Sequence, residues 1–306
     1  MNVSLEQLEA FVATVESGSF SAAARSLGRA QSAISTHVAN LEIDLGVTLF
    51  TRSGRVPQLT TEGERLLREA RVVLERREHL IGVARSMGDG VENRLVVALD
   101  ELYPEYVLGP IFSEFSKVFP HVEVELLFPL MEDVGHLVLE GTAQLGVMWQ
   151  QSRMSPDLSF RTIGRTQLLL VCGRDHPLAH GGPVSWEDLK RYRQILVATR
   201  GQERERQHLR VAGEVWWVES HWVILEMVKH GVGWAFVSDH VLASSTTAPD
   251  IVTPELAFDA GGRQVPMAVV WHRKRQSGMA MDWLKTRLCD RLVLERSPPA
   301  RALEDI

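Results

Sequence analysis

The chain has 306 residues, room for two or three domains, and 45% of them are hydrophobic and 24% charged, a globular composition that excludes disordered, collagenous and disulfide-stapled chains. No apolar run approaches the roughly 20 residues of a membrane helix, the first eleven residues lack the basic and apolar regions of a signal peptide, and Cys172 and Cys289 form no metal or redox spacing, so a cytoplasmic chain without a membrane partner is expected. The net charge is −6 and residues 1–60 hold four arginines against five acids, so any nucleic-acid reading must rest on where Arg25, Arg29, Arg52 and Arg55 sit.

The first segment reads as short helices. Leu5, Leu8, Phe11, Val12 and Val15 recur at helical spacing up to Gly18. Ser19 or Ser21 can cap a second helix, whose small Ala22, Ala23 and Ala24 allow close packing before Gly28. A third spans about 31–45, with Ala33, Ile34, Val38, Leu41 and Leu45 on its apolar side and Gly46 as its stop. A small hairpin follows, from Val47 to Thr60 through an Arg52–Pro57 turn. Thr61-x-x-Glu64 fits a capping box for a long helix over 61–90. In it Leu66, Ala70, Val73 or Leu74, Arg77, Leu80 or Ile81 and Ala84 keep a period near 3.5, the seam of a helix paired with another; a solitary amphipathic helix is the alternative.

From Arg94 onward short apolar runs alternate with helical patterns. Residues 95–99, 122–128, 145–149, 168–172, 195–198, 215–218, 234–237 and 267–271 read as buried strands, and 105–119, 133–139, 186–191, 222–230 and 279–294 as helices. That alternation implies parallel sheets covered on both faces, in one large sheet or two smaller lobes.

Two helices joined by a Gly28 turn, the second opening Gln-Ser-x-Ile-Ser-Thr-His, fit a helix-turn-helix. If Ile34 and Val38 hold that second helix to the core, its other side presents Gln31, Ser32, Ser35, Thr36, His37 and Asn40, donors and acceptors suited to base edges in a major groove. Arg29 just before the helix, with Arg52 and Arg55 in the hairpin, supplies the phosphate contacts on which affinity depends.

The run Ser19-Phe20-x-x-Ala23-Ala24-x-x-Leu27, Gln31-x-x-Ile34-Ser35, Leu41-Glu42-x-x-Leu45-Gly46-Val47-x-Leu49-Phe50-x-Arg52, Leu59-Thr60-x-x-Gly63 resembles the N-terminal domain of LysR-type transcriptional regulators. His176-Pro177-Leu178-Ala179, Trp186-x-x-Leu189 and Val228-x-x-Gly231-x-Gly233 resemble landmarks of that family's effector domain. The resemblance implies a winged helix-turn-helix at 1–60, a dimerising linker helix at 61–90, and an α/β effector domain at 91–306. That domain would have two lobes like those of periplasmic binding proteins, lobe I about 91–163 with 265–306 and lobe II about 164–264. It implies a double-stranded DNA operator, a small effector between the lobes, and homodimers that associate into tetramers. Carried onto this chain, Gln31, Ser32 and Ser35 approach bases while Arg52 and Thr60 approach phosphates. Where members often carry Arg or Lys on the recognition helix, this chain has Thr36 and Ala39-Asn40, so that helix offers no guanine-reading arginine.

Ligands of doubly wound sheets sit beyond the carboxyl ends of strands, which here are Asp100, Glu101 and Leu102, then Pro129, Trp149, Thr199 with Arg200, and Glu219 with Ser220. The resemblance leads one to expect Ser or Thr at the first position for a carboxylate effector. The acidic pair Asp100–Glu101 instead points to a neutral, cationic or aromatic molecule, with Trp149, Trp217 and Trp222 as stacking faces. The alternative for Asp100 is a cap on the helix near Pro104. No catalytic residues, cofactor or metal are expected: there is no Gly-x-Ser-x-Gly elbow, no His-Glu-x-x-His and no phosphate-cradling lysine loop, and Gly231-x-Gly233 follows a helix. The competing class is an α/β enzyme or carrier whose N-terminal helices serve only oligomerisation.

Overall fold

A capping box opens the chain: the Ser4 hydroxyl accepts from the Gln7 amide at 3.3 Å and the Gln7 side chain accepts from the Ser4 amide at 2.8 Å. Helix α1 (Leu5–Ser17) follows and ends at Gly18, whose φ of 70° is the left-handed conformation that glycine adopts without strain. Ser19, not Ser21, caps α2 (Phe20–Ser26), where buried Ala23 and Ala24 let α1 and α3 (Gln31–Leu45) close in. Ile34, Val38 and Leu41 of α3 are buried, and Phe50 meets Phe11 and Phe20 edge to face at 5.7 and 5.6 Å to complete this core.

The structure is a computed structural model that describes residues 2–51, 57–151, 153–198, 209–258 and 263–290. The expected hairpin is present as a bridge between Phe50 and Leu59, flanked by Thr51 N–H to Gln58 O (2.7 Å) and Thr60 N–H to Leu49 O (2.9 Å). Its Arg52 and Arg55 lie outside the described residues. The expected Thr61 cap is corrected by one position. The Thr60 hydroxyl accepts from the Gly63 amide at 2.9 Å, opening α4 (Thr61–Gly88), and donates to Thr48 O at 2.6 Å. Gly63 is required there, because a Cβ would collide with the Leu49 carbonyl.

The chain divides into two compact units, Met1–Gly88 and Asp89–Ile306. Among the described residues, the second is built on a nine-stranded sheet of β1 (Arg94–Leu99), β2 (Glu123–Leu127), β3 (Leu145–Trp149), β4 (Leu158–Gly173), β5 (Gln194–Val197), β6 (Val215–Val218), β7 (Trp234–Ser238), β8 (Ile251–Val252) and β9 (Arg263–His272). The order is β2-β1-β3-β9-β4-β7-β5-β6, with β8 on β4. Helices α5 (Glu105–Val118), α6 (Glu132–Glu140), α7 (Trp186–Arg191), α8 (His221–Lys229), α9 (Asp239–Ser244) and α10 (Met279–Asp290) accompany it.

An all-parallel sheet is not what forms. The two ends are parallel (β2-β1-β3 and β7-β5-β6), but β9 and β4 run antiparallel to each other and to their flanks through the middle. The two central strands are also far longer than the apolar runs 168–172 and 267–271 suggest. The first half of β4 mixes exposed Phe160, Arg161, Thr162 and Arg165 with buried Ile163 and Thr166, so its side chains partly meet solvent and the apolar run looks broken. A register shift between Thr162 and Gly164 bends β4, with Gly164 at φ 130°. Strands β1, β3, β5 and β7 are buried on both faces, while the end strands β2 and β6 are half-buried or exposed. Leu95, Val97 and Leu99 enter one apolar cluster with Ile111 and Phe115, while Val96 and Ala98 enter another with Val134 and Val138. Around β4, β5 and β7, Val171 and Ile195 face α8 while Leu170, Cys172 and Trp234 fill the opposite side. Trp234 is fully buried, its indole N–H donating to Leu189 O and Tyr192 O at 3.0 and 3.1 Å.

Candidate nucleic-acid interface and ligand cavity

Helix α3 divides sharply between its sides. Ile34, Val38 and Leu41 are under 4% exposed, whereas Gln31, Ser32, Ser35, Thr36, Ala39 and Asn40 are exposed. At about 100° per residue, Ser32, Ser35, Thr36, Ala39 and Ile43 share one stripe, and Ile43 is 77% exposed on it. Ala39 and Ile43 extend the face with methyl groups, which the polar-residue reading passed over. The Thr36 hydroxyl donates to Ser32 O at 2.9 Å, and the Gln31 carbonyl accepts from the Ser21 hydroxyl at 2.9 Å, with its amide N–H₂ left over for another acceptor. His37 is half-buried. The helix has no side-chain cap, since Ala30 stands at that position.

Two of the expected phosphate contacts are already engaged within the fold. The Thr60 hydroxyl donates to Thr48 O and accepts from the Gly63 amide, which makes it a helix cap joined to the hairpin. Arg29 lies 3.7 Å from Glu9, which also accepts from Arg77 at 2.7 Å. On α4 only Gly63, Leu67 and Ala70 are buried, while Val72, Val73, Leu80 and Met87 leave apolar side chains exposed.

In the second unit β4 changes partner at Leu168, which pairs with Arg263 of β9 on one side and Ser238 of β7 on the other. A cavity of about 470 Å³, within the size range of small-molecule sites, opens at this point. Its walls include Leu102 after β1, Trp149 at the end of β3, Ile195 and Val197 of β5, and Phe236 of β7. Trp186 and Phe258 stack beside it at 4.0 Å with planes 14° apart, and the Arg263 guanidinium lies 5.7 Å from the Trp149 ring. Gln194, also on the wall, is committed elsewhere: its carbonyl accepts from Val211 and Ala212 and its amide donates to Leu209 O.

The acidic pair does something different from what was expected. Asp100 is buried behind the wall, with one carboxylate oxygen accepting from the Leu102 amide (2.8 Å) and the other from the Met131 amide (2.6 Å). It therefore neither lines the cavity nor caps α5, whose cap position is Pro104. Desolvation outweighs those two bonds and raises its pKa to about 7. The second bond holds Met131 at φ 51°, unusual for a side-chain-bearing residue. Glu101, 120 positions upstream, accepts from the amide of His221, the first residue of α8; burial raises its pKa as well. His221 is 3% exposed and lines the cavity, its Nδ1 has no partner, and burial lowers its pKa to about 4, keeping it neutral.

Of the expected ligand residues, then, Leu102 and Trp149 meet at this cavity. Pro129 and Glu219 line a separate one of about 520 Å³ with Phe128, Asp133, His136 and Ala198. Ser220 is the cap residue of α8 but its hydroxyl makes no cap bond, Trp222 turns outward at 43% exposed, and Trp217 is half-buried. Thr199 and Arg200 lie outside the described residues. Sequence reading missed Met131, Trp186, His221, Phe236, Phe258 and Arg263, which the fold assembles from distant segments; the Ser-His step opening α8 is the one local signal among them. His176 is a turn residue whose Nδ1 accepts from the Leu178 amide, and among the described residues no group of three or more His, Cys, Asp or Glu side chains is placed to hold a metal. No described helix is long and apolar enough to cross a membrane.

Residues 88–292 match the family described as LysR substrate binding domain, and residues 5–64 match the bacterial regulatory helix-turn-helix protein, lysR family. The HTH-type transcriptional regulator AceR of Acinetobacter baumannii is 31% identical over 290 residues, covering 93% of this chain and 96% of its own. Among solved structures, a cysteine mutant of Corynebacterium glutamicum OxyR superposes with a TM-score of 0.52 at 21% identity, covering 95% of this chain and 93% of that one. HinK, a LysR family regulator of Pseudomonas aeruginosa, gives 0.50 at 22% identity, covering 95% and 99%.

Proposed function

Because the chain belongs to the LysR family of transcriptional regulators, a DNA-binding and effector-responsive class, we propose that α3 is its recognition helix and the cavity at the Leu168 crossover its effector site. The observation that carries the first half is the division of α3, with Ile34, Val38 and Leu41 buried and Gln31, Ser32, Ser35, Thr36 and Asn40 free to face base edges. Arg52 and Arg55, with Arg29 if it releases Glu9, supply the phosphate contacts. Residues 1–60 bind the duplex. Residues 61–90 pair two copies through the exposed Val73, Leu80 and Met87 side of α4, setting two recognition helices about one helical turn apart, roughly 34 Å. Residues 91–306 bind the effector between a lobe of 91–163 with 265–306 and a lobe of 164–264, and dimers pair into tetramers.

The effector acts only by binding one arrangement of the lobes more tightly than another. Nothing in this scheme calls for catalysis, and its place is the cytoplasm, where the DNA is. The test is duplex binding by the full chain and by Gln31→Ala, Ser35→Ala and Arg52→Ala. Each base-facing change should relax sequence discrimination, and Arg52→Ala should weaken all duplexes alike while lowering the salt slope by about one. Absence of duplex binding by the full chain would favour the competing enzyme or carrier reading, and equal binding by all four proteins would move the DNA contacts off these residues.

A further inference from the structure

We propose that Asp100 is a positioning residue for the cavity wall and works as a proton-operated pin. Ionised, it ties two wall residues together from behind; a proton on it lets one of them go. The consequence for ligand binding rests on the effector-site reading above, whereas the pin itself does not. Asp100 follows β1 and is 1% exposed, and its Oδ1 accepts from the Leu102 amide at 2.8 Å while Oδ2 accepts from the Met131 amide at 2.6 Å. Both donors belong to residues that line the cavity. Leu102 lies two positions along the same turn, but Met131 stands at the opening of α6. One carboxylate thus joins the end of β1 to the start of α6 behind the wall.

The two bonds are unequal. Met131 has φ 51° and ψ −120°, backbone that a residue with a side chain rarely adopts, and the Oδ2 bond holds it there. A carboxylate accepts at both oxygens, whereas the protonated acid carries an O–H on one of them, a poor partner for an amide N–H. The Leu102 bond spans two residues and closes on either form. The Met131 bond is the one that protonation releases, letting that backbone relax and move the side chain on the wall. Burial outweighs the amide bonds and raises the Asp100 pKa to about 7, with repulsion from Glu101 beside it and Glu132 on α6 adding to the rise. Strand β3 meets Asp100 with the Val147 carbonyl, and α8 and α9 reach its segment through the His221 amide and the His240 ring, both bonded to Glu101. The proton therefore comes and goes near neutrality, and a ligand that fits the pinned wall binds the ionised form.

The test is a pH titration of the full chain, labelled at its methionine methyl groups for NMR, with Met131→Leu identifying the Met131 signal. That signal should move with a midpoint near pH 7. In Asp100→Asn, whose amide keeps one acceptor and imitates the protonated acid, it should stay at the parent's low-pH position throughout. Glu101→Gln removes one repelling charge and should shift the midpoint downward, a check that remains if Asp100→Asn does not fold. A Met131 signal that ignores pH, or that moves alike in Asp100→Asn, overturns the pin, as does a midpoint that Glu101→Gln leaves in place or raises. Indole, uncharged throughout, reports the consequence for binding. Its affinity, read from the same methyl, should be about tenfold lower one unit below the midpoint than one unit above it, and equal at the two in Asp100→Asn. Equal affinity in the parent overturns the link from pin to binding. If indole shifts no signal, the methyl titration still decides the pin, and it is the effector-site reading that fails.

Discussion

Helices α3 and α8 both begin without a side-chain cap of their own, and what happens to the orphaned amides separates the two functional regions. Ala30 has no cap to offer α3, and the helix start is flanked by exposed Gln31 and Ser32. Ser220 could cap α8 but makes no such bond, and Glu101 arrives from a distant segment to take its place. The first four N–H groups of any helix need partners. At the surface the first amides of α3 are open to solvent, and on the recognition-helix proposal a phosphate could take them. Inside the second unit the chain closes the site with its own carboxylate. One end is left open to solvent; the other already holds a carboxylate.

The largest expected effects lie around the closed end. Asp100 titrates near 7 against 3.8 unfolded, and His221 near 4 against 6.5. A carboxyl with a raised pKa contributes stability that is full below pH 3.8 and lost as pH rises through 7. A histidine with a lowered pKa contributes stability present above 6.5 and lost as pH falls through 4. Over pH 4–7 the two slopes oppose and largely cancel. Asp100→Asn should therefore leave a protein whose stability climbs with pH across that window, and His221→Phe one whose stability declines. Each swing is on the order of 3 kcal/mol. Melting curves recorded from pH 4 to 7 check this, and parallel profiles for both variants and the parent would show that neither group titrates as described.

Next comes the carboxylate itself. Glu101→Ala removes the acceptor from the His221 amide and should lower stability by about 1–2 kcal/mol, seen as an earlier melt of the second unit. Glu101→Gln keeps an acceptor and should recover most of the loss. An unchanged melt in the alanine variant would mean that the His221 amide needs no carboxylate, and the contrast between the two ends would dissolve.

How much of this the sequence disclosed follows the same division. The α3 region is local: Ile34, Val38 and Leu41 set the buried side by spacing alone, and whatever remains faces out, so Gln31, Ser32, Ser35 and Asn40 could be named in advance. Thr60 is ambiguous for a local reason too, because a hydroxyl beside a hairpin can serve a phosphate or a helix start, and its helix-start role shows only in the Gly63 and Thr48 contacts. The cavity is non-local. Trp186 and Phe258 stack across 72 positions of chain, and Leu168 meets Arg263 only because β4 and β9 run antiparallel through a sheet whose pattern suggested parallel pairing. Strand ends were the right place to look, as Leu102 and Trp149 show. Which way Asp100 turned was not legible, since that depended on the Met131 amide 31 positions away.

The smallest expected effect is the sharpest on the contrast, because stability and binding should move in opposite directions. Ala30 sits at φ −71° and ψ 144°, extended backbone that suits a capping residue. Ala30→Asp would give α3 what α8 already has, a carboxylate on its first amides, and should stabilise the first unit by about 1 kcal/mol. If α3 meets the duplex as proposed, the same carboxylate would repel the phosphates at that end, so duplex affinity should fall at least tenfold, more at low salt than at high. Ala30→Ser separates the two causes: it caps without charge, should stabilise similarly, and should lose far less affinity. If Ala30→Asp stabilises the helix and still binds DNA like the parent, the open end of α3 does not meet the backbone, and recognition must come from the Ser32–Ser35–Thr36 face without help from the helix start.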